Sequence, residues 1–314
     1  MPNPGIAMAA LLALTAGLMA ALRIFQRRCS PHPEWSRKLM HVGTGLLALS
    51  LPWLFRSPWP VLVLCATGAT GMVVIKHATR LKETFGCVVG DVARQSAGDI
   101  TFPLGIAVVF LLSQGDCLLY SVPVLVLTFA DAAAALVGTF YGLLRFETPG
   151  GKKSVEGSLA FFVVAFLSIH IALCLCSDAG QEKAVLIAFL LGFLLTIVEA
   201  LAGWRGLDNL LIPVAGFIFL RAMVDAPLTE LVVQGMVLLS LAAGLVFLRR
   251  QTTLNTSALL GAVLVGYMSW TLGGWKGILA SLLLFMNNVL RHRGCAPVRG
   301  LGVDYGSCPF HKGP

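Results

Sequence analysis

A single acidic residue, Asp131, lies within a long apolar stretch of the sequence, and a cationic, glycine-rich segment follows it. An ionised carboxylate at membrane depth is costly unless it is paired or lines a wet cavity, so Asp131 is a candidate functional residue. The following segment reads GGKKSVEG. Its glycines, Gly151 among them, let the backbone approach a ligand closely, and the ammonium groups of Lys152 and Lys153 suit phosphate. Together with Ser154, these residues predict a phosphate-binding loop.

A second polar cluster, EALAGWRGLDN, begins at Glu199 near the end of another apolar run. Glu199 is a candidate site residue by the same reasoning as Asp131. Asp208 and Asn209 follow a short turn, where they would either cap the next helix or hold a ligand. The side-chain oxygens of Asp131, Glu156, Asp208 and Asn209 are hard ligands of the kind that Mg²⁺ prefers. These segments therefore supply oxygen groups that would suit a bound Mg²⁺ ion.

Another polar motif, SRKLMHVG, stands at the start of an earlier apolar run. Arg37 and His41 are four residues apart, which places them on one face of a helix. Arg37 and Lys38 on their own would fit basic anchors at the membrane surface. His41 lies one turn into the apolar run, and this position favours a role in the site.

The polar segment at residues 76–101 begins with a basic amphipathic stretch that suits the membrane interface. Its second half carries Asp91, Arg94 and Asp99. Arg94 would add a further phosphate contact, although a solvated loop explains Asp91 and Arg94 equally well. Pro103, just inside the next apolar run, indicates irregular backbone near a cavity.

The composition of the chain is typical of membrane proteins. Of its 314 residues, 57% are hydrophobic and 12% are charged, and the mean hydropathy is +0.84. A soluble globular domain averages about 25% charged residues. No segment alternates like a barrel strand, so we expect an all-α, polytopic bundle of transmembrane helices. The eight cysteines show no CxxC spacing, which argues against a cysteine metal site.

Eleven apolar runs are candidates for membrane spans, and we expect about 9 to 11 of them to cross the bilayer. They are residues 5–25, 39–55, 59–75, 102–113, 117–142, 159–176, 184–201, 210–223, 231–248, 257–272 and 277–290. With the N-terminus outside, alternation places 19 of the 23 lysines and arginines on the cytoplasmic side. This bias follows the positive-inside rule and predicts that the polar segments described above face the cytoplasm. The net charge of +8 then reflects basic loops and not nucleic-acid binding.

Taken together, the polar segments resemble the CTP-dependent polyprenol kinase family, and within it the branch of phytol and farnesol kinases. The resemblance rests on five motifs in the family's order: RKLMHVGTG, GDVARQSAGDITFPLGI, DAAAALVGTFYG, GGKKSVEGSLAFF and EALAGWRGLDNLLIP. It covers residues 36–221. One departure lies at Gly98-Asp99-Ile100, where the branch more often has Gly-Glu-(Ile/Val)-Tyr.

This resemblance implies transfer of the γ-phosphate of CTP to an isoprenoid alcohol such as phytol, geranylgeraniol or farnesol, with Mg²⁺ as cofactor. The tail of the alcohol would stay in the membrane lipid while its hydroxyl meets the nucleotide. Phosphoryl transfer requires charge neutralisation and aligned oxygens. The catalytic candidates are Asp131, Glu199 and His41. The nucleotide-binding candidates are Arg37, Lys38, Arg94, Gly151, Lys152, Lys153 and Ser154.

Two other functions fit parts of the pattern. A membrane cytidylyltransferase would also use CTP and Mg²⁺, but it would release pyrophosphate and form a CDP-lipid. A transporter without enzymatic activity would use Asp131 and Glu199 as a proton or cation relay. The cationic loop at Lys152 and Lys153 argues against a cation relay, and we find no convincing inverted repeat that would favour a transporter.

The chain divides into four parts. Residues 1–35 are expected to form a first membrane helix and linker, and residues 36–228 a polyprenol-kinase-like membrane domain. Residues 229–290 add further membrane helices, and residues 291–314 are expected to be disordered. Residues 254–285 resemble the opening of the integral-membrane family that includes phytyl-phosphate kinase, without that family's later acidic motifs. The small-residue face of Ala134, Gly138 and Gly142 would serve helix packing or a homo-oligomer interface.

Overall fold

The computed structural model describes residues 3–78, 98–203, 206–248 and 256–294. Within them the chain is almost entirely helical, which confirms the all-α prediction. The helices before the first gap are α1 (Pro4–Cys29), α2 (Pro33–Leu49), α3 (Leu51–Leu54) and α4 (Trp59–His77). They are followed by α5 (Gly98–Ser113), α6 (Cys117–Tyr141), the strands β1 (Arg145–Thr148) and β2 (Gly151–Ser154), and the helices α7 (Val155–Cys176), α8 (Gln181–Ala202), α9 (Asp208–Val224), α10 (Leu228–Leu248) and α11 (Thr256–Gly294).

Several of these helices match the dimensions of a bilayer. Among the described residues, five helical stretches are long and apolar enough to cross a membrane: α1, α6, α7, α8 and Thr256–Leu284 of α11. Three shorter apolar helices accompany them, at Trp59–Ile75, Ile100–Ser113 and Leu228–Gly244. These helices indicate a membrane protein. The total of about 9 to 11 spans stays a prediction.

The last stretch, α11, consists of two helices that meet in a sharp reversal at Gly274. Gly274 has φ 56° and ψ −144°, a conformation that glycine adopts far more readily than other residues. The hydroxyl oxygens of Ser269 and Ser281 lie 2.6 Å apart. A straight helix would separate these positions by about 18 Å. The chain therefore folds back at Gly274, in agreement with the two separate apolar runs in this part of the sequence.

Helix α8 is the centre of the bundle. It packs against α7, α9, α10 and α11. Several of its leucines, among them Leu190, Leu191, Leu194 and Leu195, are fully buried. They fall on more than one face, as expected for a helix that is surrounded by others. Glu199 lies in the last turn of this helix, so its position is determined by the most buried element of the fold.

Helix α6 carries Asp131 and has a wider turn immediately before it. Asp116 caps the start of the helix, because its Oδ1 accepts two backbone N–H groups at 2.9 and 3.0 Å. Pro123 lies inside the helix and has no N–H to donate. Val126–Ala130 then form a π-helical turn, a feature that is frequent at functional sites. Because such a turn contains an extra residue, the side chains after it point in different directions from those of an uninterrupted α-helix.

A hydrogen bond from α6 replaces one that a proline removes near the end of α2. Pro52 has no N–H to donate to the carbonyl of Ala48, one turn earlier. The buried hydroxyl of Tyr120 donates to that carbonyl at 2.9 Å. Helix α2, which carries His41, is thereby held against α6, which carries Asp131.

The segment predicted as a glycine-rich loop is an antiparallel β-hairpin. Gly151 pairs with Thr148, so the two residues between them, a proline and a glycine, form the turn. Gly151 has φ 124°, which glycine adopts without steric cost. Successive side chains of a strand point to opposite faces, and this separates Lys152 from Lys153.

The C-terminal helices contact this hairpin. Ser257, buried in the first turn of α11, donates its hydroxyl to the carbonyl of Glu147 at 2.8 Å. The division that we expect at residue 228 therefore separates two parts that touch. Residues 295–314, the greater part of the tail expected to be disordered, lie outside the described residues.

Helices α6 and α7 cross closely through small residues. A methyl group on Gly157 would lie 2.9 Å from the carbonyl oxygen of Ala134. One on Gly142 would lie 2.8 Å from the hydroxyl oxygen of Ser154. The face of Ala134, Gly138 and Gly142 is thus occupied within the chain, and it does not support the homo-oligomer interface that its composition suggested.

Replacing Gly157 with valine is expected to destabilise the protein by about 1–3 kcal/mol, because the added atoms meet backbone that cannot give way. The matched control is Gly17→Val, since a methyl group at Gly17 would meet nothing within 4 Å. Thermal unfolding in detergent should give a lower Tm for Gly157→Val than for Gly17→Val. Equal Tm values would contradict the tight crossing.

Candidate active site

The polar segments meet at one end of the bundle, around a cavity of about 1410 Å³. Basic and acidic side chains of the described residues line that end of the cavity: Arg37, Lys38, Arg145, Lys152 and Lys153, with Glu34, Asp131, Glu199 and Asp208. We call this set the charged end. Farther along, the cavity wall consists mainly of apolar residues from α1, α2, α4 and α5. The cavity is therefore amphipathic.

Asp131 is buried at the charged end, where two side chains of α2 contact it. Lys38 Nζ forms an ion pair with Asp131 Oδ2, and His41 Nε2 lies 3.5 Å from the same oxygen. Lys38 is 4% exposed and Asp131 is 5% exposed, so salt and water screen this pair little. Removing one partner of a buried pair typically costs about 3–5 kcal/mol, because the other charge is left uncompensated. The ion pair therefore joins α2 to α6 at the site.

His41 has a defined hydrogen-bonding role in this cluster. Its Nε2 lies 2.9 Å from the carbonyl oxygen of Leu127, within the π-helical turn. A carbonyl oxygen can only accept, so Nε2 carries a proton. The His41 ring also packs edge-on against Phe102, with 4.9 Å between the ring centroids. His41 thus orients the groups around Asp131, and its Nε2 is not free to act as a base.

Lys153 and Glu199 form a second ion pair at the charged end. Lys153 Nζ lies 2.5 Å from Glu199 Oε1 and also donates to the backbone carbonyl of Glu199. Gly203 leaves room for this approach, because a methyl group there would lie 2.9 Å from Lys153 Cε. Glu199 is 6% exposed, and its Oε2 has no hydrogen-bond partner among the described residues. A buried carboxylate oxygen without a partner is costly, so this atom is available to a ligand.

The start of α9 brings Asp208 and Asn209 to the same cavity. Leu207 is the N-cap residue, and Asp208 lies inside the first turn, where its Oδ1 accepts the backbone N–H of Asn209 at 3.0 Å. The carboxylate of Asp208 is close enough to Asp131 for the two charges to repel each other. The side-chain amide of Asn209 donates to the carbonyl of Gly98 at 3.1 Å, which fixes α9 against α5.

The other cations at the charged end are more exposed. Arg37 pairs with Glu34 on its own helix, and its side chain is 45% exposed. Lys152 is exposed on β2 and, like Gly151, lines the cavity. Lys152 is therefore able to move toward a ligand, whereas Lys38 is engaged in a buried pair and Lys153 in a partly buried one.

Ser154 and Glu156 have structural roles. The buried Ser154 caps α7, because its Oγ accepts the N–H of Gly157 at 3.1 Å. The two carboxylate oxygens of Glu156 accept the N–H of Leu144 at 3.1 and 3.3 Å, and Glu156 does not line the cavity. Glu156 is thus separated from the acids with which the sequence grouped it, and we leave it out of the metal site proposed below.

The backbone of α5 contradicts the prediction made for Pro103, and the predictions for the polar residues before it stay untested. It runs without a break through Pro103, where irregular backbone was expected. The proline removes one backbone hydrogen bond without ending the helix. Asp91 and Arg94 lie outside the described residues, and so does the side chain of Asp99.

The ion pair between Lys38 and Asp131 is the main feature that sequence reasoning missed. The sequence pairs Arg37 with His41 at a spacing of four residues, but Lys38 and His41, three residues apart, also share a helical face. The sequence alone does not show that the face carrying Lys38 and His41 is the buried one. Ser158 was missed as well: it lines the cavity, and its buried Oγ has no hydrogen-bond partner among the described residues.

Comparison with known proteins gives a relative of known activity. The chain is 27% identical over 202 residues to the phytol kinase of Synechocystis sp., a match that covers 64% of this chain and 81% of the relative. No family model matches the chain, and no solved structure matches it significantly. The match to the relative agrees with the resemblance carried by the motifs. It supports the assignment of the chain to the phytol and polyprenol kinase family.

Proposed function

We propose that the chain is a membrane lipid-alcohol kinase that transfers the γ-phosphate of CTP to an isoprenoid alcohol. Similarity to a phytol kinase supports the general activity, a kinase with an alcohol acceptor. The observation that carries the proposal is the amphipathic cavity: its charged end suits a nucleoside triphosphate, and its apolar part suits an isoprenoid tail. CTP as the phosphate donor rests on the motif resemblance.

In this proposal the acceptor hydroxyl lies beside Asp131. Asp131 and His41 stand at the charged end, and Thr44 and Leu47, one and two turns farther along α2, line the cavity toward its apolar part. An alcohol with its tail in that part would present its oxygen to Asp131. The Asp131 carboxylate then accepts the hydroxyl proton while the oxygen bonds to the γ-phosphorus. The bond between that phosphorus and the bridging oxygen of the β-phosphate breaks, and CDP leaves.

The triphosphate would bind between the hairpin and α2. Lys152 is exposed toward the cavity, and Gly151 lets the backbone of β2 approach the phosphates closely. Arg37 and Lys38 approach from α2. Lys153 would keep Glu199 in place or exchange it for a phosphate oxygen, since an ammonium group binds either anion. Arg94 remains a candidate from the sequence.

Mg²⁺ is the cofactor that we propose. When bound, it would neutralise phosphate charge and align the reacting oxygens. Asp131, Glu199, Asp208 and Asn209 line one cavity, and Glu199 Oε2 offers a ligand atom without a partner. In the described part of the chain, no three His, Cys, Asp or Glu side chains form a ready-made metal site. Mg²⁺ usually combines one or two carboxylates with substrate phosphates, so these residues fit an ion that binds together with the nucleotide.

We also propose that the charged end faces the cytoplasm. With the N-terminus outside, 19 of the 23 lysines and arginines fall on that side. Arg56, Lys183 and Arg221, which fall on the other side, lie at or near the turns α3–α4, α7–α8 and α9–α10. These turns alternate with the segments that form the charged end. A cytoplasmic site would receive its nucleotide directly from solution.

Purified protein with Mg²⁺ is expected to transfer label from γ-labelled CTP to at least one alcohol of a panel of phytol, geranylgeraniol, farnesol, dolichol and diacylglycerol. The products of a kinase are CDP and a lipid phosphate. Pyrophosphate and a CDP-lipid would indicate a cytidylyltransferase instead. Cation flux in liposomes without nucleotide turnover would indicate a transporter. Competition by unlabelled ATP and CTP identifies the preferred nucleotide.

A further inference from the structure

We propose that the apolar part of the cavity, between α1, α2 and α4, binds the isoprenoid tail of the acceptor, and that Gly68 sets the length of tail it accepts. We call this part the tail groove. The inference rests on the proposed function, because it assigns the second half of the substrate to a place in the fold. The ligand class is a branched hydrocarbon chain with a terminal hydroxyl.

The tail groove exists because two consecutive helices do not pack together. Helices α2 and α4 are joined by a short connection, yet they make few contacts with each other. Helix α4 packs mainly on α5, and α1 contacts both α2 and α4. The space left between α2 and α4 is therefore continuous with the cavity at the charged end.

The residues that line the tail groove recur at helical spacing. On α4 they include Leu64, Gly68, Gly71 and Ile75, which share one face. The walls from α1, α2 and the start of α3 are also mostly apolar: Leu11, Leu12, Thr15, Ala16 and Met19, with Met40, Thr44, Leu47, Ala48 and Leu51. A surface of this kind binds hydrocarbon and offers few hydrogen bonds, so it suits the tail and not the nucleotide.

The dimensions of the tail groove limit what it can hold. From Ile75 to Leu64 the helix rises about 16 Å. This is about half of the 30 Å hydrocarbon core of a bilayer. The groove reaches Leu64, which packs against the core that includes the buried Leu51 of α3 and Leu11 of α1. A groove that ends at this core would discriminate between tails by length.

Gly68 is placed midway along this wall, where a larger side chain would shorten the groove. A methyl group at Gly68 or Gly71 would meet nothing within 4 Å. These glycines therefore do not serve close helix packing, the usual reason for small residues in membrane helices. Glycine in a helix interior is about 1 kcal/mol less favourable than alanine. The open space in front of both glycines on the cavity wall fits a requirement for room to hold the hydrocarbon tail.

The test compares Gly68→Leu with Gly17→Leu, a matched control in which the leucine lies on a membrane helix outside the cavity. Wild-type protein and both variants are assayed with geraniol, farnesol, geranylgeraniol and phytol. Gly68→Leu is expected to lower kcat/KM for the longer alcohols by at least about tenfold while the shorter ones are retained. Gly17→Leu is expected to keep the wild-type profile.

The outcomes separate this inference from the proposed function. If the wild-type protein phosphorylates no alcohol, the proposed function fails. If it phosphorylates the panel and both variants share its profile, the tail groove is wrongly assigned and the function stands. If Gly68→Leu is inactive on every alcohol, cross-linking decides: farnesol with a diazirine in its tail should label peptides of α2 and α4 in wild-type protein, and geranylgeraniol should compete. Labelling confined to other helices would overturn the inference.

Discussion

Asp131→Asn is expected to lower kcat by at least about 100-fold, because an amide can neither accept the hydroxyl proton nor supply the negative charge that a metal ion requires. Asparagine has nearly the same size as aspartate, and it leaves an amide oxygen as an acceptor for Lys38. The measurement is the initial rate of label transfer from γ-labelled CTP to the best alcohol of the panel, with expression and membrane insertion followed separately. An Asp131→Asn enzyme with normal activity would contradict the role of Asp131.

A second variant separates this role from a structural one. In Asp131→Asn the buried charge of Lys38 loses its ionic partner, and such a loss costs up to about 3–5 kcal/mol. The double variant Lys38→Met/Asp131→Asn removes both charges. Its Tm is expected to lie closer to that of the wild type than the Tm of Asp131→Asn, while its kcat stays as low as that of Asp131→Asn. If the double variant regained activity, the uncompensated lysine and not the missing carboxylate would explain the defect of the single variant.

Lys153→Met is expected to have the next largest effect, a loss of about 100-fold in kcat/KM for CTP. It removes a cation from the charged end and leaves the buried Glu199 without its ionic partner. The neighbouring Lys152→Met is the matched control, since Lys152 is exposed. Exposed ion pairs contribute about 0.2–1 kcal/mol, so the control is expected to lose less than about tenfold, mainly through KM. Steady-state kinetics with varied CTP would measure both. A larger defect in Lys152→Met would contradict the assignment of Lys153 to the buried site.

Most helices of the fold could be predicted because a long apolar run in a membrane protein has few alternatives to a helix. The runs at residues 117–142 and 184–201 correspond to α6 and α8 within a few residues. The acids Asp131 and Glu199 stood out for the same physical reason, since a carboxylate in such a run requires a partner. Their location at one cavity was expected from charge topology and agrees with the structure.

The features that escaped prediction depend on tertiary contacts. Lys38 and Asp131 are 93 positions apart, and no local pattern pairs them. The hairpin was expected as a loop because its short strands carry glycines and charges in place of alternating apolar residues. Glu156 was grouped with the metal-binding acids because its carboxylate is a hard oxygen ligand, but the fold directs that carboxylate to the N–H of Leu144.

The most direct test of the account uses CTP labelled separately in its α- and γ-phosphates, with purified wild-type protein, Mg²⁺ and the best alcohol of the panel. The γ-label is expected to appear in the lipid phosphate and the α-label in CDP. Formation of both labelled products should be lost in Lys38→Met/Asp131→Asn. An α-label in the lipid product, or unchanged turnover in that variant, would contradict the account.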